Sequence, residues 1–472
     1  MTNKVFEWIP LDNAGKVFPG QNTNRWSNVF RLSVQLKEEI DPAILKEALS
    51  RTFNRIPTFR VRIRNGFFWN YYEFNEMECP VRHDIKNHCY RINFKENNGY
   101  LFRVYYHSCR IGIDVYHALC DGYGAAVFIS TLTGEYLRLK GHSVSQSKFV
   151  LDVNDSPKEE EREDAYILNA SSKEKCSLTD TMVYHKRGTK LPLHMCNYTT
   201  VIMSFEQLHE VSKGYGVTVT ELLAAILLDI HYRKQLSQRK FRQTVSAQIP
   251  VNLRKAFPSE TLRNFVMCLT VNLRPRKDEY TFEEIVSEVS TQLRKANNIG
   301  YLNAYITRTV KIGTESIKLL PLVIKNSVIR AGFSVGAEYS TSTLISNLGP
   351  IDIPEDMRAH VEKFAFYTGP GIVNGARCGV VSLGDRLAFT FSNRYEERDI
   401  ENEFLKKLRD MGIDLTVETN RDTDYSDIEG IIVGDRDAYS KEIFIPARVD
   451  RKAKLRNPDI SFSESLKRYF HL

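Results

Sequence analysis

Residues 111–122 read Ile111-Gly112-Ile113-Asp114-Val115-Tyr116-His117-Ala118-Leu119-Cys120-Asp121-Gly122. Ile111, Ile113 and Val115 fall on alternate positions, the period of a strand with one face on a core. The alternation stops at His117. Beyond Asp121-Gly122, Val127, Phe128, Leu132, Tyr136 and Leu139 recur at helical spacing and predict an amphipathic helix over about 125–139. The short loop between strand and helix therefore carries His117, Asp121 and Gly122 in an H-x-x-x-D-G spacing. With 11 His, 58 acids and 25 Gly in the chain, chance gives roughly 0.04 such matches.

The residue types suit proton transfer. An imidazole with a pKa near neutrality accepts a proton at cellular pH, which makes His117 a candidate general base. The alternative is a satisfied histidine in an ordinary strand-to-helix turn. Asp121 is placed to hold the loop through an ion pair or backbone hydrogen bonds, and Gly122 permits a turn that a β-carbon would hinder. A metal site needs further His, Cys or carboxylate ligands at close spacing; none accompanies the motif, so no metal is expected.

Working outward, Phe30, Leu32, Val34 and Leu36 alternate as a strand. Asp41 and Pro42 then open a helix with Leu45, Ala48, Leu49 and Phe53 on one stripe, ending before Pro57. A strand through Phe59, Val61 and Ile63 reaches Asn65-Gly66, a pair suited to a tight hairpin, and the aromatic run from Phe67 to Tyr72 is expected to be the returning strand or to line an acceptor pocket. After the motif helix the stretch 141–178 is polar, and its charge run Lys158 to Asp164 reads as a solvated linker or surface helix. Strand signals resume near Thr199. Capping boxes at Thr218/Glu221 and Thr281/Glu284 open two helices, strands are expected near 245–249, 265–273, 342–345, 361–367, 378–383 and 387–391, and a helix over 400–411. This is an α/β chain with hairpins, unlike the strict alternation of a Rossmann fold or a TIM barrel. The organisation expected is an N-terminal half over 1–178, a C-terminal half over 179–420 and an extension over 421–472.

At 472 residues the chain exceeds what one core ordinarily organises. A net charge of +7 without a long basic run argues against nucleic acid, and suits an anionic small molecule no better than plain solubility. The eight cysteines show no metal or disulfide spacing. The first residues lack an apolar signal core and the longest strongly apolar stretch, Leu222 to Leu228, is far below spanning length, so no membrane span and a cytoplasmic location are expected.

The H-x-x-x-D-G motif in this strand-to-helix setting resembles the active-site motif of the CoA-dependent acyltransferase superfamily, which includes chloramphenicol acetyltransferase, plant hydroxycinnamoyl-type acyltransferases and the condensation domains of nonribosomal peptide synthetases. Ile56-Pro57-Thr58-Phe59-Arg60-Val61-Arg62, Pro250-Val251-Asn252-Leu253-Arg254, Thr261-Leu262-Arg263-Asn264-Phe265 and Ser346-Asn347-Leu348-Gly349-Pro350 are similar to segments of its bacterial alcohol acetyltransferase-like branch. The resemblance spans about residues 5–420. It implies two chloramphenicol acetyltransferase-like α/β sandwich subdomains with a channel between them, and His117 midway along it. Acyl-CoA is then the co-substrate, with no tightly bound cofactor, and the acceptor a small alcohol or amine. Direct attack on the thioester needs no enzyme nucleophile, so Cys120 is given no role.

In the same scheme Arg254 is paired with Asp121, although a surface or CoA-phosphate role for Arg254, Lys255 or Arg263 stays open. Ser346 or Asn347 could donate to the oxyanion; the other reading of that segment is an edge-strand turn capped by Gly-Pro. Two departures narrow the resemblance: Tyr116 stands where condensation domains usually carry a second histidine, and the DFGWG motif of the plant branch is absent. Acetyl transfer to an alcohol is the leading expectation. A carrier-protein-dependent condensation reaction and a noncatalytic binding module of the same fold are the alternatives.

Overall fold

The computed structural model describes residues 8–441, except 24–26, 174–182, 239–242, 313–317, 337–338, 372, 374–375, 423–424, 426 and 435–438. The first part runs β1 (Trp8–Pro10), α1 (Phe18–Gln21), β2 (Val29–Leu36), α2 (Pro42–Arg55), β3 (Val61–Asn65), β4 (Asn70–Phe74), β5 (Val81–His83), β6 (Phe102–His107), β7 (Arg110–Tyr116), α3 (Gly122–Leu139) and α4 (Ala165–Asn169). Asp41 caps α2 by accepting the amide N–H groups of Ala43 and Ile44, with Pro42 in the first turn. The alternating residues of β2 and β7, among them Leu32, Val34, Ile113 and Val115, share one core with Leu45 and Leu49 of α2 and Phe128 and Leu132 of α3. Helix α3 is buried on every side from Gly124 to Leu137 rather than along one stripe, because the segment carrying Val144 and Val150 covers its outer face.

The second part runs β8 (Asn197–Ser204), α5 (Phe205–Gly214), α6 (Val219–Gln238), β9 (Val245–Asn252), β10 (Val266–Leu273), α7 (Phe282–Ala296), α8 (Ile299–Lys311), α9 (Leu322–Gly336), β11 (Thr343–Pro350), α10 (Glu355–Arg358), β12 (Val361–Tyr367), β13 (Ala376–Leu383), β14 (Arg386–Asn393), α11 (Asp399–Asp410), β15 (Leu415–Thr419) and β16 (Ile432–Val433). Its sheet has the order β10-β9-β11-β13-β14-β8-β15-β16, and α6, α7 and α11 pack their apolar residues on one face of it. The first sheet has the order β12-β2-β7-β6-β5. Strand β12 thus lies within the 179–420 stretch yet pairs antiparallel with β2, Phe364 opposite Val34 and Phe366 opposite Leu32. The same strand lies on the second sheet, where its Phe366 carbonyl occupies the space that a β-carbon on Gly379 would need. One strand therefore ties the two layers together.

Three local expectations change. The Asn65-Gly66 hairpin is not a two-residue turn: Asn65 pairs with Asn70, Gly66 donates its N–H to the Trp69 carbonyl, and Phe67 and Phe68 stand exposed at the tip. The run from Phe67 is strand only from Asn70 on. The charge run 158–164 is solvated only in part: Lys158, Glu159 and Glu160 are exposed, whereas Glu161 is buried and binds both ends of the Arg55 guanidinium at 2.5 and 2.7 Å. Desolvated charges persist where they are paired in this bidentate way. Helices α8 and α9 had no counterpart in the sequence reading. The expected boundary at residues 178 and 179 lies outside the described residues, as does 442–472 of the expected extension. Of its nearer part, Tyr425 and Ile428 pack into the second core and Tyr439 against Tyr367.

Candidate active site

Strand β7 delivers His117 at its end, where the His117 N–H donates to the Asn28 carbonyl at 2.8 Å beside β2. Asp121 is buried and caps α3. Its Oδ1 accepts from Gly124 N at 3.1 Å, while Oδ2 accepts from Phe265 N and from Arg254 Nη1, each at 2.8 Å. Arg254 is itself buried; its Nε and Nη2 donate to the carbonyls of Thr261 and Arg263 at 3.0 and 2.6 Å, and Nη1 also donates to Asn252 Oδ1 at 3.2 Å. The motif loop of the first part is thereby clamped to residues 254–265 of the second. A β-carbon on Gly122 would collide with the side chain of Leu348, and one on Gly124 with the Leu262 carbonyl. Glycine at 122 and 124 is what lets the two parts close on one another.

His117 is half-buried, its ring stacked on Phe18 of α1 at 4.7 Å and met edge-on by Phe30 of β2 at 5.1 Å. Its Nδ1 lies 2.9 Å from Asn264 Oδ1, and Asn264 Nδ2 donates to Asp12 Oδ2 at 3.1 Å. Because Asp12 Oδ2 accepts from the amide NH₂, the Asn264 side chain is assigned with its oxygen toward His117. Nδ1 must then carry the proton, which leaves the Nε2 lone pair as the basic position. Asp12 is held in turn by the Gly15 N–H at 2.6 Å and lies 3.6 Å from Arg263 Nε. Burial pushes the His117 pKa below the ordinary value of 6.5, and the nearby Asp121 charge only partly offsets this. The neutral ring is thereby favoured over the imidazolium.

The Ser346–Pro350 segment reaches this loop through Leu348. Asn347, however, is engaged elsewhere: its Nδ2 donates to Thr220 Oγ1 and its Oδ1 accepts the Gly349 N–H, both at 2.8 Å. Ser346 is half-buried on β11 opposite Gly379. Arg263 is buried and donates to the Pro10 and Arg162 carbonyls, whereas Lys255 is exposed. Burial holds the Cys120 thiol well above its usual range, the opposite of an activated nucleophile. Close to the start of β2, Arg91, Arg394, His88 and His194 line one cavity with Ser27, and burial together with the two arginines holds His194 below its ordinary pKa. Among the described residues, no three His, Cys, Asp or Glu side chains are grouped to hold a metal ion, and no single helix is long and apolar enough to cross a membrane.

Asn264, Asp12 and Phe18 contact or orient His117 and had no role in the sequence reading. Asn264 sits inside the Thr261–Phe265 segment quoted above. Nothing in the sequence around Asp12 marks it.

No protein-family model and no curated protein matches this sequence. Solved structures do match. TRI101 from F. graminearum, crystallised with coenzyme A and T-2 mycotoxin, superposes with a TM-score of 0.56 at 10% identity, over 86% of this chain and 97% of that one. The trichothecene 15-O-acetyltransferase TRI3 from Fusarium sporotrichioides gives 0.53 at 13% identity over 86% and 94%. The first condensation domain of the CDA synthetase gives 0.54 at 13% over 87% and 97%. Identities this low establish architecture, and the architecture is that of the chloramphenicol acetyltransferase-like α/β fold shared by these acetyltransferases and condensation domains.

Proposed function

We propose that this chain is an acyltransferase that moves an acyl group, acetyl in the leading case, from acyl-CoA to an alcohol, with His117 as general base. The observation that carries this reading is the Asp12–Asn264–His117 line, which commits Nδ1 and leaves a neutral Nε2 at the junction of the two parts. In the reaction, Nε2 takes the hydroxyl proton as the acceptor oxygen forms a bond to the thioester carbonyl carbon. The tetrahedral oxyanion collapses with cleavage of the C–S bond, and the proton on Nε2 passes to the leaving thiolate. Asp121 acts by positioning, since its oxygens face Arg254 and backbone N–H groups rather than the imidazole. Ser346 is the candidate oxyanion donor, because the Asn347 amide is already held at both ends. The coenzyme A bound to TRI101 and the O-acetyl transfer named for TRI3 support the choice of donor and acceptor class.

Free-thiol release from acetyl-CoA, measured with a panel of alcohols and amines, tests this. Acceptor-dependent release that disappears in His117→Ala supports it. Turnover only with a carrier-protein thioester moves the reading to a condensation reaction. No turnover with either donor leaves a binding module.

A further inference from the structure

We infer that α9, its approach and the β3–β4 tip form a docking face for an anionic lipid bilayer. Helices on a protein surface ordinarily turn apolar residues inward and charge outward. Helix α9 departs from this over residues 322–330: Leu322 is buried, yet a lysine is buried with it and apolar side chains also face outward. Lys325 is buried, its Nζ 3.7 Å above the Trp69 ring and donating to the Phe68 carbonyl at 2.9 Å. Val323, Ile324 and Val328 share the outward stripe, and Leu319 precedes them; Leu319 and Val323 are each 79% exposed. The hairpin tip continues this surface, for Leu322 N donates to the Phe67 carbonyl at 2.9 Å and the Phe67 side chain is 73% exposed. Large apolar side chains exposed this fully and side by side mark an interaction face.

Charge selects the occupant. Of the five Lys and Arg in residues 299–336, Lys325 is buried while Lys311, Lys318 and Arg330 are exposed, and the sequence of this stretch holds a single acid, Glu315. Apolar and aromatic side chains flanked by cations suit the headgroup region of an anionic bilayer, which takes up the former and attracts the latter. The chain's own segment 442–472 carries seven Lys and Arg against four acids, and like charge disfavours it as the cover. The face also lies close to His117. A β-carbon on Gly20 of α1 would press on Ile329 of α9, and Phe18 of the same short helix stacks on His117. Under the proposed function, an acceptor dissolved in the membrane would have a short path to the base; bilayer docking itself does not depend on that reading.

The test is flotation of the full chain with vesicles of phosphatidylcholine alone or of phosphatidylcholine with one quarter phosphatidylglycerol. Binding is expected to the anionic vesicles, several-fold stronger at 50 than at 500 mM salt. Val323→Glu/Val328→Glu and, separately, Phe67→Ser/Phe68→Ser should each reduce the bound fraction about tenfold, with an unchanged melting temperature and unchanged turnover of a water-soluble acceptor. Failure of the wild type to bind anionic vesicles, or undiminished binding by both variants, overturns the inference. So does a dimer abolished by V323E/V328E, capture of an acidic carrier protein in place of vesicles, or vesicle binding that starts only once 442–472 is removed. Vesicle binding without any acyl transfer would sink the proposed function and leave this inference standing.

Discussion

Asp121 and Arg254 stand 133 positions apart in sequence and meet at 2.8 Å, Oδ2 to Nη1, with side-chain exposures of 1% and 5%. Removing one partner of a pair so desolvated strands the other charge, at a cost of about 3–5 kcal/mol. Asp121→Asn and Arg254→Met should therefore each lower stability by that order in denaturant unfolding. The double variant should lose much less than the sum of the two. Strict additivity would show that the contact is not energetically coupled.

His117→Ala should cut turnover about a hundredfold or more without unfolding the chain. The wild-type pH profile carries a further signature. Burial disfavours the imidazolium, so the basic form persists to lower pH than in a free histidine, and the acidic limb of kcat/KM should fall below 6.5. A limb above that value would contradict the environment described for the ring.

Asn264 offers a sharper probe because it acts through His117. Asn264→Ala frees Nδ1, lets the ring lose its tautomer, and should lower kcat about tenfold or more with little change in KM. Asn264→Asp places a carboxylate 2.9 Å from Nδ1, which favours the imidazolium and should move the acidic limb to higher pH. A purely structural role for Asn264 would leave the limb where it is.

These residues also show what could be read before the fold was known. His117, Asp121 and Gly122 lie within six positions, so strand period, loop and helix onset expose them together. Asn264 is 147 positions from His117 and Asp12 about a hundred; Asn264 meets the ring, and Asp12 meets Asn264, only after the chain before β10 and that before α1 have packed. The Arg254 pairing came from resemblance, since nothing in its local sequence separates a buried arginine from a surface one. The burial of Glu161 inside a charge run is hidden for the same reason: its partner Arg55 is 106 residues away. Helix α9 escaped notice because apolar residues occupy both its faces, which erases the stripe by which helices are recognised. Strand β12 was legible as a strand, but its place in the first sheet is set by pairing with β2, a relation no local pattern encodes.

Gly122 gives the last test, and magnitudes decide its sign. It is the first residue of α3 and its φ is not positive, so alanine should fit the helix itself and gain at most about 1 kcal/mol in propensity. Against this stands the collision of the new methyl group with Leu348, an overpacking penalty of about 1–3 kcal/mol in a contact that joins the two parts. Gly122→Ala should therefore be destabilising, and by displacing Ser346–Pro350 it should reduce kcat more than KM. Leu348→Ala removes the obstacle, so Gly122→Ala/Leu348→Ala should recover both melting temperature and turnover relative to Gly122→Ala alone. Recovery of the melting temperature without turnover would mean that Leu348 itself shapes the site; recovery of neither would mean that the glycine is needed for a reason other than this contact.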